Sequence, residues 1–456
     1  MRGRHDIRME HGQALVLVLV IMVLLSVLAL SMIDLTVGET RSSSHAVVRQ
    51  TSFQAAEAGI SDYTTKLVED HLYYAHQVFP GESMRQATNG TQVPAGSAWP
   101  YDLNWTYPTP HNAWRQLPNG WEYNLQITPP SAATPGVTIL ATGRQHNDAN
   151  TADWRAIKTV IRPTSLADFY RVVDGNVSFG STTTTNGQIY ANGNVSHDGI
   201  ATANIYAEGT ISGSVSMQKG AKKYDKNTIR SVIPSPIQFS DFVASLSDIQ
   251  NASQNGGLYL NNTSKAAWRI VFNSNGTLTY SSCTQSGSND VAATPPNCSI
   301  TTTTVAVPAN GAVYSPQTVI VSGQVHGRVT VASNNDIDIG DNISYVTPGQ
   351  DVLGLIAYDD VTVCDWAPNT LNWTGAVLAE TGTWQSYSSS YTAAGRDKYS
   401  TMNFTGSSAT KLGGDFGAFA YRNYNYDQNL LYLAPPWFPT IADSYTTLVF
   451  QEVAAG

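Results

Sequence analysis

The octapeptides "IYANGNVS" (189–196) and "IYAEGTIS" (205–212) lie sixteen residues apart and share five of their eight positions. Each begins with an apolar alternation and closes on a Gly flanked by Asn, Glu or Thr. Alternation of period two marks a strand with one face buried, and Gly, Asn and Asp mark the turns between strands. "DGNVSFG" from Asp174 precedes the pair. "TVIVSGQVHGRVTVAS" from Thr318, "NDIDIGDNIS" from Asn335 and "GLIAYDDVTV" from Gly354 follow it. Short strands recurring every 16 to 25 residues predict stacked turns of a β-solenoid, with Ile and Val in continuous inward columns. Gly and Asn would occupy the corners, where φ can be positive. A β-sandwich with fortuitous repeats is the competing arrangement.

Composition agrees with a β-rich surface protein. Of 456 residues only 13% are charged, and the net charge is -9. An acidic chain lacking basic clusters argues against nucleic-acid binding, which requires neutralised phosphates. The three cysteines form no CxxC or Cys/His cluster, so no metal site is expected. Cys283 and Cys298 bracket a Ser/Thr/Asn/Pro-rich stretch and are a candidate disulfide, whereas Cys364 stands alone. A local disulfide suits an oxidising compartment.

Outside the repeats the chain changes character. Ala14 to Ile33 is apolar apart from Ser26 and Ser31, and Arg2, Arg4 and Arg8 precede it. About 20 such residues span a bilayer as a helix, with the basic end on the cytoplasmic side. No proline follows before Glu69, and Phe53, Ala56, Ile60, Tyr63 and Leu67 recur at helical spacing. The membrane helix is therefore predicted to run on as one amphipathic helix. Residues 72–119 are rich in Pro, Trp and Tyr. "GWEYNLQITP", "GVTILATGRQ" and "DWRAIKTVIRP" then read as antiparallel strands of a small sheet packed on the helix.

Gly12 directly before the apolar run, together with "FQAAEAGI" at 53–60, resembles the N-terminus of type IV pilins and pseudopilins, specifically PilX-type minor pilins. The resemblance implies cleavage by a prepilin peptidase between Gly12 and Gln13. It implies an inner-membrane location with a cytoplasmic N-terminus, then the pilus or cell surface. Other pilins, minor pilins and the inner-membrane assembly platform would be its partners. Gln13 stands where the family usually has Phe, and Leu17 where major pilins carry a Glu that pairs with a neighbour's amino terminus. The lack of a carboxylate at Leu17 is similar to subunits at a filament tip. The helix, with Leu17, Phe53, Ala56, Ile60, Tyr63 and Leu67, would pack in the filament. The second half also resembles a β-repeat domain of unknown function that follows some PilX-type N-termini.

The expected architecture is α+β, mainly β: a long N-terminal transmembrane and amphipathic helix, a small antiparallel sheet, then β-solenoid (parallel β-helix-like) repeats. The boundaries are 1–12 leader, 13–70 helix, 71–165 β head, 166–236 repeats, 237–312 an insertion, and 313–456 repeats with a C-terminal cap. The insertion would hold a short helix from Ser240 or Asp241, a hairpin and the cysteine loop. The aromatic run 420–440 would cap the last turn. Asp336, Asp338, Asp341, Asp359 and Asp360 are the only carboxylate group suggestive of calcium or of sugar cleavage. They lack the companion residues of either motif, so no catalytic residue, metal or cofactor is expected. The reading is a PilX-like minor pilin acting in assembly, priming and surface adhesion, its surface or glycan ligand unspecified. An envelope-anchored structural protein or adhesin outside any filament is the alternative, and a β-helix polysaccharide-active enzyme a more distant one.

Overall fold

The structure is a computed structural model that describes residues 10–69, 114–128, 136–233, 235–285, 290–414 and 416–455. The side chains of 10–20, 29–30, 33–38, 41–42, 69, 241–245 and 442–444 lie outside the described set. So do residues 1–9 of the expected leader and 70–113 of the expected head. The chain divides into two units. One comprises Met1–Pro130, Val137–Ile161 and Val449–Gly456, the other Ser131–Gly136 and Arg162–Leu448.

In the first unit a single helix, α1, runs from Glu10 to Glu69. At 1.5 Å per residue it is about 90 Å long. Ile21 to Leu28, Ser31 and Met32 are exposed on all sides of it. The Ser26 and Ser31 hydroxyls donate to the carbonyls of Met22 and Val27, at 2.8 and 2.7 Å. Among the described residues no helix is long and apolar enough to cross a membrane. Much of the expected span, including Ala14 to Val20, lies outside the described side chains.

The three strand-like runs form Trp121–Thr128, Val137–Gln145 and Arg155–Ser165, each antiparallel to the next. The short strand Arg115–Gln116 adds one edge and Thr440–Val453 the other, giving a five-stranded sheet. The C-terminal strand was expected to belong with the repeats. It joins this sheet instead, and the Thr159 hydroxyl donates to the Val449 carbonyl at 2.8 Å.

The second unit is built on parallel pairing. Its longest ladder runs, in spatial order, through strands at 223–224, 205–207, 188–191, 169–173, 401–410, 370–379, 352–357, 328–333, 312–315 and 258–259. Nine steps at about 4.8 Å make it about 43 Å long. Within it Ile189, Tyr190 and Ala191 sit directly against Ile205, Tyr206 and Ala207. The octapeptide repeat is thus the pairing register itself, and the Ile and Ala columns are fully buried. In the 170–217 region two further three-stranded parallel ladders complete each repeat, one through 177–179, 195–197 and 211–212, the other through 184–185, 200–201 and 216–217. In the other block the second face is an eight-stranded ladder ending at Trp384–Ser386.

At the corners, side chains of one turn accept from the backbone of the next. Asn176 takes the Asn194 N–H at 2.7 Å, and Asn194 takes the Thr210 N–H at 2.8 Å. Glycine is needed at these corners for close approach, and at others, Gly213 and Gly327 among them, it takes the expected positive φ, 91° and 118°. A Cβ at Gly209 would overlap the Asn194 amide and lie 2.9 Å from the Gly193 carbonyl oxygen.

Three expectations about this unit require correction. The segment 237–312 is not a separate insertion. Leu258–Tyr259 and Ala267–Asn273 pair in parallel with Ala312–Ser315 and Thr318–Val325, so they are the first strands of the stack. The antiparallel partner Thr277–Thr284 covers the outer edge of Ala267–Asn273. Its helix begins with a 3-10 turn, Phe239–Phe242, ahead of α2 (Val243–Gln254), so Ser240 and Asp241 lie inside the turn. Only the start of the aromatic run covers a strand edge, that of the late block. Tyr421–Asn425 pairs with Thr401–Thr405, and the chain then crosses the flank of the long ladder. The Tyr426 N–H donates to Asn186 at one end of this path, and the Trp437 indole to the Asn310 carbonyl at the other. Such a strap is favoured because Tyr426, Leu430 and Phe438 bury themselves against several successive turns.

Candidate functional site

Two places in the chain have the geometry of a functional site: the packed half of α1 in the first unit, and a cavity in the second.

Ser52, Ala55, Ala56, Gly59, Tyr63 and Leu67 form the buried face of α1. Of the positions expected on that face, Ala56, Tyr63 and Leu67 are on it. Phe53 and Ile60 sit half-buried at its margin, where Phe53 meets the Phe450 ring edge-on at 6.4 Å. The stripe is narrower and smaller-chained than apolar spacing implies, because the backbones meet. A Cβ at Gly143 would overlap the Ser52 carbonyl and lie 2.7 Å from the Ala56 nitrogen. A Cβ at Gly59 would lie 2.7 Å from the Tyr123 ring. Polar contacts fix the register. Ser52 donates to the Asp153 carbonyl at 2.8 Å, and His45 bonds the Asp153 carboxylate at 3.1 Å. Asp62 accepts from Tyr123 at 2.9 Å and from Arg115 at 3.4 Å. Sequence reasoning missed Ser52 and Gly59, since neither is apolar bulk. The small residues in "FQAAEAG" were the available signal. Gly12, Gln13 and Leu17 lie on the helix backbone, but their side chains are outside the described set.

Cys283 and Cys298 face each other across an antiparallel pair and are joined by a disulfide. Cys364 is a buried free thiol, and burial pushes its pKa well up. The carboxylates do structural work. Asp336 accepts the Asp360 N–H at 3.0 Å, and Asp360 the Thr383 N–H at 2.6 Å. Asp341 caps its neighbour Asn342 at 2.7 Å. Asp359 accepts from the Thr381 hydroxyl at 3.0 Å. Asp338 is fully buried, and burial followed by the nearby Asp336 charge raises its carboxyl well above the usual range.

The cavity lies where the two repeat blocks abut. On the long ladder pairing continues without a break, Ser408 opposite Arg171 and Thr410 opposite Val173. On the other face it stops. The eight-stranded ladder ends at Trp384–Ser386 and the three-stranded one at Val177–Phe179, with no strand joining them among the described residues. The gap is a cavity of about 260 Å³ walled by Tyr170, Phe179, Trp384, Phe416 and Tyr424. Arg171, Ser178, Thr183 and Ser408 also line it. Arg171 donates to Ser408 at 3.1 Å and lies 5.4 Å from the Trp384 ring centroid. Burial pulls its pKa down to about 10, against the opposing effects of Tyr170 and Tyr424. Trp384 also packs on Phe416 at 4.6 Å and Phe404 at 4.7 Å.

Residues 11–61 match the family model described as PilX N-terminal. No curated protein and no solved structure matches the chain. The matched segment covers the stretch of α1 that carries Gly12 and most of the small-residue packing face. The protein therefore carries a PilX-type pilin N-terminus over residues 11–61, joined to a large β-rich domain of parallel sheets.

Proposed function

We propose that this chain is a minor pilin of a type IV pilus-like system, without enzymatic activity, whose large domain is a β-solenoid passenger. Its work is filament assembly and priming, and adhesion through the passenger. The observation that carries this reading is the PilX match over residues 11–61, on a helix whose C-terminal half packs by small residues on an antiparallel sheet. In-register parallel pairing of repeated octapeptides supports the solenoid. The apolar side chains exposed from Ile21 to Leu28 and at Met32, with serines satisfied by their own helix, suit a lipid or filament-core environment.

In this reading a prepilin peptidase cleaves after Gly12, and the helix from Gln13 is held in the inner membrane until the assembly platform adds it to a filament. With Leu17 in place of a carboxylate, the subunit cannot make the amino-terminal pairing of a repeating pilin, which restricts it to the tip. N-terminal sequencing of the membrane-extracted protein is the test of processing. A mature chain beginning at Gln13 is expected, and one that keeps Met1 would end the pilin reading. Immunogold labelling of sheared filaments tests position. Regular labelling along the shaft would overturn tip placement. Leu17→Glu places a carboxyl in the apolar run at a cost of about 2.5–3.5 kcal/mol unless a neighbouring amine pairs with it. The variant is expected to insert less well or to spread along the shaft.

A further inference from the structure

We propose that the cavity between the two repeat blocks binds a single carboxylated sugar ring, a hexuronate, free or at the end of a glycan. Its size comes first. About 260 Å³ falls just below the roughly 300–1,000 Å³ of sites that take drug-sized molecules, so it suits one ring. Its walls come next. Aromatic faces pack on the apolar C–H face of a pyranose, and the polar residues Ser178, Thr183 and Arg171 among the lining suit a ring with polar edges.

The charge requirement rests on Arg171. Among the described residues no carboxylate interacts with it, and its one hydrogen bond goes to the neutral Ser408. An arginine at a cavity wall with donors left over is built for a bidentate carboxylate. Unspent guanidinium donors in an aromatic cavity ask for an anionic guest. The site also has a reason to exist in this fold. A continuous stack would fill the space with a strand, whereas here the second face breaks while the first stays paired.

This inference names a ligand class for the adhesive role proposed above and rests on that role for its biological meaning. The binding itself is a property of the full chain in detergent, whether or not it enters a filament, so the two can fail separately. The measurement is equilibrium dialysis and tryptophan fluorescence with glucuronate, glucose, benzoate and acetate as probes. Glucuronate should bind saturably in the millimolar range, as expected for one small polar ring. Glucose and acetate should each bind at least about tenfold more weakly, the loss that accompanies a missing charge-assisted pair or a missing ring contact. Arg171→Gln should abolish the preference for glucuronate over glucose. Gly180→Trp guards against misfolding as the explanation. Gly180 lines the cavity and is exposed, and a Cβ there meets nothing within 4 Å, so an indole added at the cavity rim leaves the stack undisturbed. This variant should melt like the wild type and lose glucuronate. Equal binding of glucose and glucuronate, tighter binding of benzoate, no saturable binding, or undiminished binding by Gly180→Trp would each overturn the proposal.

Discussion

Glu380 follows directly on the strand Thr370–Ala379 and is 1% exposed. Neither of its carboxylate oxygens has a hydrogen-bond partner. Burial pushes its pKa from 4.5 up to about 8. A folded pKa above the unfolded one means that folding takes up a proton between these values. The contribution is fully present below pH 4.5 and is lost as pH rises through about 8. At about 1.36 kcal/mol per pH unit, the whole span is worth about 5 kcal/mol. For a unit of this size 1 kcal/mol moves Tm by about 2 °C, so the wild type should lose about 10 °C from this group across the window. Asp336, raised to about 6, and Asp338 slope the same way, so the wild-type curve alone does not isolate Glu380. Glu380→Gln does. It keeps the shape, cannot ionise, and leaves the other carboxyls in place. Calorimetric melting of the full chain at pH 5, 6, 7, 8 and 9 (all about) is the assay. The variant should match or trail the wild type at the acid end and exceed it by several degrees at the alkaline end. Parallel curves would refute the reasoning, because they would mean that Glu380 reaches water or a partner when charged.

The other predictions concern packing, a cross-link and a second buried acid. Gly143→Ala forces the helix off the sheet, since its methyl group would overlap the Ser52 carbonyl. It should cost about 1–3 kcal/mol in the first unit and increase hydrogen exchange in α1 around Ser52 to Gly59. Cys283→Ser with Cys298→Ser opens a cross-link spanning 15 residues in sequence. The loss should be about 3 kcal/mol, read from urea unfolding of oxidised and reduced protein. Asp338→Asn removes a buried acid that must stay protonated. It should raise Tm near neutral pH and flatten the alkaline decline, and an unchanged slope would count against a neutral Asp338.

Much of the local structure could be read from residues a few positions apart. The apolar run and the proline-free stretch to Glu69 required one helix, and α1 spans Glu10 to Glu69. The alternation in "GWEYNLQITP" and its two successors required antiparallel strands, and their pairing follows chain order. The octapeptides went further. Identical side chains stack best on each other in a parallel ladder, so a sixteen-residue repeat states both the strand and its neighbour's register, Ile189 against Ile205.

What alternation cannot state is which distant strand is the partner. An Ile-x-Ile pattern offers the same buried face and the same backbone groups to any neighbour. Tertiary structure therefore decided that Leu258–Tyr259 begins the second block, at the far end of the stack from Lys223–Tyr224. It decided that the block then grows back until Ser408 pairs with Arg171. It placed the aromatic run along the flank and sent Thr440–Val453 to the sheet of the first strands. The cavity depends on the same decision. Arg171 and Trp384 stand 5.4 Å apart because the late block returns to the early one, and nothing near either residue in sequence names the other. Local pattern is set by the period of the backbone and by solvent exposure. Long-range pairing is set by which complete arrangement leaves the fewest strand edges and apolar faces in water.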